Sequence, residues 1–271
     1  MKTFCSGGRM LVKNKLDPSL FYLSEVFEHD DTLLVDLSIL ADHDKDAICW
    51  MVESPDILHE WGRLNGIVFH DSMHNLLERK MCKHLITSDP SFAKYDCVYV
   101  SKPCAPSWIK DDDARMYEKS DLVTFITSAK NHTPLQEKRV LLANQMIAKG
   151  IRVYGRGFVE VDNKLDVLKH HRFCVVIENG IHENYHTEKI LDCLRTGTVP
   201  IYLGDPTIGN TFNTEGMIIV ENTDQILEIL DSLSDEKYES MLPAIQDNLE
   251  RALKYDNSPE KILEEFFAAH K

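Results

Sequence analysis

In the run Tyr185-His186-Thr187-Glu188-Lys189 a threonine suited to begin a helix is followed at once by a carboxylate and an ammonium. Thr187 can cap the helix, Ile190, Leu191 and Leu194 supply its apolar stripe, and Gly197 falls where a left-handed glycine ends one. Lys189 then sits in the first turn, at the positive end of the helix dipole, which disfavours a cation by roughly 0.3–1 kcal/mol. A bound diphosphate would reverse that sign. Glu188 suits the dipole as an ordinary first-turn acid, and a carboxylate is equally suited to accept both hydroxyls of a ribose. A second cation, Arg139, lies on a helix announced by Thr133 as cap, Pro134 at the first helical position and Gln136 three after the cap. It falls between Leu135 and the Leu142, Ala143 and Met146 positions, on a mostly apolar face. An arginine there needs an anionic partner, either a carboxylate across a domain interface or a diphosphate gripped through two N–H groups.

The elements that must hold these groups follow from the hydrophobic pattern. Residues 171–204 parse as strand, polar loop, helix and strand, so the loop opens at the carboxyl end of a parallel strand and feeds a helix N-terminus, where phosphates bind in open α/β sheets. Short apolar runs alternate with helical patterns along the whole chain, which is the signature of α/β domains with parallel sheets. Strands are expected at 33–37, 47–52, 67–70, 84–87, 97–101, 122–127, 151–154, 173–177, 199–203 and 217–221, and helices at 225–231, 235–254 and 259–270. In the last helix Ile262, Leu263, Phe266 and Phe267 make an apolar stripe that docks on the protein. Segment 102–113, with two prolines and the acidic run Asp111-Asp112-Asp113, fits neither element and marks the junction between domains 1–115 and 116–271. The acidic run reads as a solvated linker, with a DxD metal site as the alternative.

Composition narrows the function further. With 30 Lys and Arg against 44 Asp and Glu, a net charge of −14, sequence-independent attraction to nucleic acid or anionic lipid is excluded. No run approaches the roughly 20 apolar residues of a membrane helix, and the polar start is unlike a signal peptide. Seven scattered cysteines without a CxxC pair point to reduced thiols rather than a disulfide framework or a zinc site. The pairs His70/His74 and His170/His171 lack acidic or Cys partners at metal-site spacing, so they read as structural and no metal is expected.

Three stretches, Ile177-Glu178-Asn179-Gly180, Tyr185 through Lys189, and Gly197-Thr198-Val199-Pro200-Ile201-Tyr202-Leu203-Gly204, resemble in order and spacing the donor-site signature of the α-1,3/4-fucosyltransferases, glycosyltransferase family ten. The likeness runs from about Lys119 to Asn222 and is thin before it. It implies a GT-B fold, two Rossmann-like domains facing a central cleft, with the nucleotide sugar held by the second. Glu188 would meet the ribose, Lys189 and Arg139 the diphosphate, and Asn179 and Tyr185 would also contact the donor. Val153-Tyr154-Gly155 resembles the family's Tyr-Gly segment. The implied reaction is inverting, metal-independent transfer of L-fucose from GDP-fucose to a hydroxyl of an acceptor glycan, without a cofactor.

The base in that family is a Glu of the first domain just past a strand end. Glu53, in Cys49-Trp50-Met51-Val52-Glu53-Ser54-Pro55, answers that description, with Asp89 as the rival. Two departures, Gly180 for the usual Ser or Thr and His186 for the usual apolar residue, leave room for another donor such as UDP-xylose. A nucleotide-sugar-binding module without catalysis is the other reading. The expected partners are a nucleotide sugar and an acceptor oligosaccharide, with no nucleic acid and no integral membrane segment. The sequence shows no anchor or stem of the Golgi type, which points to a bacterial or viral protein working in cytoplasm.

Overall fold

The computed structural model describes residues 3–5, 21–22, 48–51, 54–64, 69–79 and 84–269. The chain divides into two compact units, Met1–Ala105 with Asn257–Lys271, and Pro106–Asp256. Against the expected division at 115/116, the break falls earlier and residues 257–271 group with the first unit.

In the first unit β1 (Thr3–Cys5), β2 (Phe21–Tyr22), β3 (Ile48–Trp50), β4 (His84–Thr87) and β5 (Val98–Val100) form a parallel sheet of order β2-β1-β3-β4-β5. Helix α1 (Pro55–Leu64) starts after buried Ser54, whose Oγ accepts a hydrogen bond from Ile57 N at 3.4 Å, with Pro55 at the first helical position. Of the strand expected at 67–70, residues 67–68 lie outside the described residues, and Phe69 and His70 open helix α2 (Phe69–Glu78) instead. Met73 and Leu77, four apart and both buried, carry the helical period of α2. The strand expected at 33–37 lies outside the described residues.

The second unit runs β6 (Asp121–Ile126), α3 (Pro134–Ala148), β7 (Val153–Tyr154), α4 (Leu165–Leu168), β8 (His171–Ile177), α5 (Glu188–Leu194), β9 (Val199–Leu203), β10 (Ile218–Ile219), α6 (Thr223–Leu230) and α7 (Asp235–Lys254). Its parallel sheet has the order β10-β9-β8-β6-β7. Alternation along β8 explains how the sheet is covered on both faces. Phe173, Val175 and Ile177 pack with Leu142, Ala143 and Met146 of α3, while Cys174 and Val176 pack with Ile190, Leu191 and Leu194 of α5. In chain order each sheet reads second, first, third, fourth, fifth, so in the second unit the direction of winding reverses between β6 and β8. A crevice outside the carboxyl ends of strands at such a reversal is where open α/β sheets bind ligands.

Helix α8 (Pro259–Ala269) belongs to the first unit and buries Ile262 and Phe266 there, the latter edge-on to His84 and Tyr99, while Phe267 is left 46% exposed. The apolar stripe therefore docks on the protein as its pattern implied. Among the described residues no helix is long and apolar enough to cross a membrane.

One buried cation fastens the second unit's strand ends. Lys119, just before β6, donates from Nζ to Leu168 O, Thr196 O and Thr198 Oγ1 at 2.9, 2.7 and 2.9 Å. Burial pulls its pKa down to about 7. The folded chain therefore binds fewer protons here than the unfolded chain between about pH 7 and the ordinary lysine value near 10.4, and stability from this group rises with pH across that window. Urea unfolding of wild type and Lys119→Met from pH 6 to 10 should show a stability difference that widens in favour of wild type above pH 7, by at most about 1.4 kcal/mol per pH unit. A pH-independent difference would mean that Lys119 stays charged in the fold.

Candidate functional site

The loop between β8 and α5 is built around a carboxylate that the sequence reading passed over. Glu178, the residue after β8, is fully buried. Its Oε1 accepts from Thr187 N at 2.8 Å, and its Oε2 accepts from Thr187 Oγ1 at 2.7 Å and from Lys189 Nζ at 3.2 Å. Thr187 thus holds the N-cap backbone position, but its hydroxyl makes no capping bond to the helix. It donates to Glu178 instead and accepts from Lys189 Nζ at 2.9 Å. Gly204, at the end of β9, has no room for a side chain because a Cβ would run into the Tyr202 ring and the Glu178 side chain.

A second carboxylate fixes the middle of the loop. Asp205 Oδ1 accepts from Asn184 N, Thr207 N and Thr207 Oγ1 at 3.0, 2.7 and 2.6 Å, and Oδ2 meets His186 Nδ1 at 2.9 Å. Burial opposes the charge of Asp205, but the His186 and Thr207 hydrogen bonds hold its pKa below the usual value. His186 Nε2 pairs with Tyr255 OH at 2.8 Å. The histidine at a position where an apolar residue was expected is therefore part of a buried polar relay. Tyr185, 2% exposed, is clamped between Asn184 and His186, and Asn184 takes the left-handed backbone (φ 61°) that the tight turn demands.

Arg139 arrives from α3, where Thr133 Oγ1 accepts from Gln136 N at 3.2 Å as its cap pattern implied. It is 5% exposed, donates from Nη1 to Asn179 Oδ1 at 3.2 Å, and its buried Nε has no hydrogen-bond partner among the described residues. Burial lowers its pKa, while Glu178, Tyr185 and Glu188 act in the opposite direction. Among the described residues no carboxylate forms an ion pair with it, so the interdomain carboxylate offered as one of its two expected partners is not among them. A buried guanidinium with an unused N–H is a costly feature that a bound anion would satisfy.

Glu188 and Lys189 follow on α5. Burial opposes the charge of Glu188, but Lys189 and Lys164 hold its pKa down at about 2. Burial likewise opposes the charge of Lys189, which Glu178 and Glu188 keep above the ordinary lysine value. Gly155, with φ 112°, closes the turn after β7 so tightly that a Cβ would strike the Thr127 carbonyl oxygen, bringing the Tyr154-Gly155 segment against the end of β6.

The structure thus gathers Arg139, Asn179, Tyr185, Glu188 and Lys189 at the carboxyl edge of the second sheet. Glu53 lies outside the described residues, three positions after β3 ends at Trp50. Its rival Asp89 is occupied locally, because its Oδ1 caps the short turn at Pro90–Phe92 by accepting from Ser91 N at 2.8 Å. Asp111 forms an ion pair with Arg195, and among the described residues no group of three or more His, Cys, Asp or Glu side chains is placed to hold a metal ion.

Residues 116–241 match the family model of glycosyltransferase family 10 (fucosyltransferase), C-terminal region. This stretch is similar to the C-terminal region of that family. Among curated relatives, an α-(1,3)-fucosyltransferase FucT of Helicobacter pylori is 34% identical over 71 residues, 26% of this chain and 15% of that protein. An α-(1,3)-fucosyltransferase B of Drosophila melanogaster is 27% identical over 117 residues, 42% of this chain and 26% of that protein. The match thus spans about a quarter or less of each relative. A solved α1,3-fucosyltransferase aligns over 89% of this chain and 80% of its own with a TM-score of 0.51 at 14% identity, which gives the chain a GT-B-type α/β fold.

Two groups of this site were missed from sequence, Glu178 and Lys164. Glu178 carried a usable signal, since an acid directly after a strand buried on both faces must find donors. Glu178→Ala leaves Lys189 and the Thr187 N–H without their partner, and should lower stability by about 3–5 kcal/mol in urea unfolding. A loss below about 1 kcal/mol would show that the loop is held by Asp205 alone.

Proposed function

We propose that the protein is an inverting glycosyltransferase that moves L-fucose from GDP-fucose to a hydroxyl of an acceptor glycan. The observation that carries this reading is Arg139, a guanidinium 5% exposed with an unpaired Nε beside Asn179 at the winding reversal of the second sheet. A diphosphate supplies the missing acceptors. The names of the family and of its curated relatives support fucose as the sugar.

In this mechanism the acceptor oxygen attacks the anomeric carbon as the bond from that carbon to the diphosphate oxygen breaks, and GDP departs from the opposite face. Arg139 and Lys189 stabilise the charge that builds on the departing phosphate, the part a divalent ion plays in other transferases, so no metal enters the scheme. Glu188, held as a carboxylate, accepts from the ribose hydroxyls, and Asn179 and Tyr185 complete the donor pocket. Glu53 takes the acceptor proton.

Two measurements test the scheme. In thermal-shift and calorimetric titrations GDP-fucose and GDP should stabilise the wild type, by about 2.7 kcal/mol at 100 times Kd. Arg139→Met should bind GDP at least about 10-fold more weakly without lowering the melting temperature of the unliganded protein, because it removes an unsatisfied buried cation. Preferential binding of UDP-xylose would redirect the donor assignment. Glu53→Gln should leave the donor Kd nearly unchanged while kcat falls by roughly 10²–10⁴. Full turnover in that variant removes Glu53 from the mechanism, and a wild type that binds nucleotide sugars but turns over with no acceptor is a binding module.

A further inference from the structure

Two acids on α5, Glu188 and Asp192, stand four residues apart on one helix face, a spacing at which like charges repel. Lys164, immediately before α4, bridges them, with Nζ 2.7 Å from Asp192 Oδ2 and 3.6 Å from Glu188 Oε1. Lys189 Nζ approaches the same Glu188 oxygen at 3.8 Å. Lys164 is itself fixed from below. Asp192 is 1% exposed and accepts from Ser107 Oγ at 2.6 Å and from Trp108 N at 2.8 Å, and the Trp108 indole lies 5.4 Å from the Lys164 ammonium. Glu188, by contrast, has a side chain 22% exposed, so without Lys164 its carboxylate would keep the longer 3.8 Å approach of Lys189 but lose its tie to the buried Asp192.

We infer that Lys164 is the positioning residue for Glu188, transmitting the buried Asp192 anchor to the carboxylate that grips a ribose diol. This rests on the reading of the site as a nucleoside-diphosphate-sugar pocket. Lys164 makes no claim on the phosphates, which face Arg139 and Lys189. Its removal should therefore cost recognition of the ribose hydroxyls and nothing else in the nucleotide.

The experiment compares calorimetric Kd values for GDP and 2′,3′-dideoxy-GDP. Lys164→Met alone strands a buried carboxylate, so the informative variant is Lys164→Met with Asp192→Asn, in which the Ser107 and Trp108 donors keep an acceptor. Wild type should prefer GDP by about 10-fold or more, as expected for hydrogen bonds to a charged group. In the double variant that preference should shrink at least about 5-fold through weaker GDP binding, with dideoxy-GDP affinity held within about 2-fold. Lys164→Arg, which preserves the charge and the Asp192 pair, should retain most of the preference, and it remains informative if the double variant does not fold. An unchanged preference in the double variant, an equal loss for both nucleotides, or a preference abolished in Lys164→Arg as fully as in Glu188→Gln would overturn the positioning role. A wild type that binds both nucleotides equally overturns the ribose role of Glu188 and the inference with it, and a wild type that binds neither overturns the nucleotide reading itself.

Discussion

A carboxylate buried away from water must be met by donors, and in this protein Glu178 is met by three of them from one short stretch, Thr187 N, Thr187 Oγ1 and Lys189 Nζ. That requirement closes the loop after β8 and fixes where α5 begins. Once the start of α5 is fixed, Glu188 and Lys189 have set directions, and the apolar residues behind them, Ile190, Leu191 and Leu194, lock onto the face of the sheet shared by Cys174 and Val176. The polar site and the core are thus two sides of one element.

The other charged groups repeat the arrangement at larger radius. Asp205 holds Asn184 and His186, and through them Tyr185. Asp192 holds Lys164 and the 107–108 backbone. Lys119 gathers the carbonyls at the ends of α4 and α5. Among the described residues of this unit two arginines, Arg139 and Arg195, keep a buried Nε without a hydrogen-bond partner. Arg195 pairs through its other N–H groups with Asp111 and with the Ile109 and Ala252 carbonyls, whereas Arg139 donates to the neutral amide of Asn179. A buried guanidinium without an anionic partner is costly, which is why the proposed diphosphate contact is placed at Arg139.

Local periodicity decided much of this in advance. The strands at His84–Thr87 and Val199–Leu203 and the helix at Asp235–Lys254 follow from alternation, β-branched runs and caps such as Ser234, which accepts from Lys237 N at 3.2 Å. The same cues placed Arg139 on a buried face and Lys189 in a first turn. They failed at Phe69 and His70, the end of a short apolar run expected as a strand, because these two residues open a helix whose period Met73 and Leu77 continue into the core.

The sequence by itself determined the α/β class, the parallel sheets and the family likeness of the second half, and it drew attention to Arg139, Glu188 and Lys189 as charged groups on a helix face or in a first turn, because each is written in spacings of a few residues. Tertiary structure alone decided which groups satisfy which. Glu178 bonds to Thr187, Asp205 to His186, and Lys164 to both Asp192 and Glu188, across separations from 9 to 28 residues that no local period encodes. It also decided that the C-terminal helix packs in the first unit, through Phe266 against His84 and Tyr99. Hydrophobic periodicity is a one-dimensional signal, whereas a buried charge is neutralised by whatever the fold brings within about 3 Å of it, and that partner is set only when the sheet order is set.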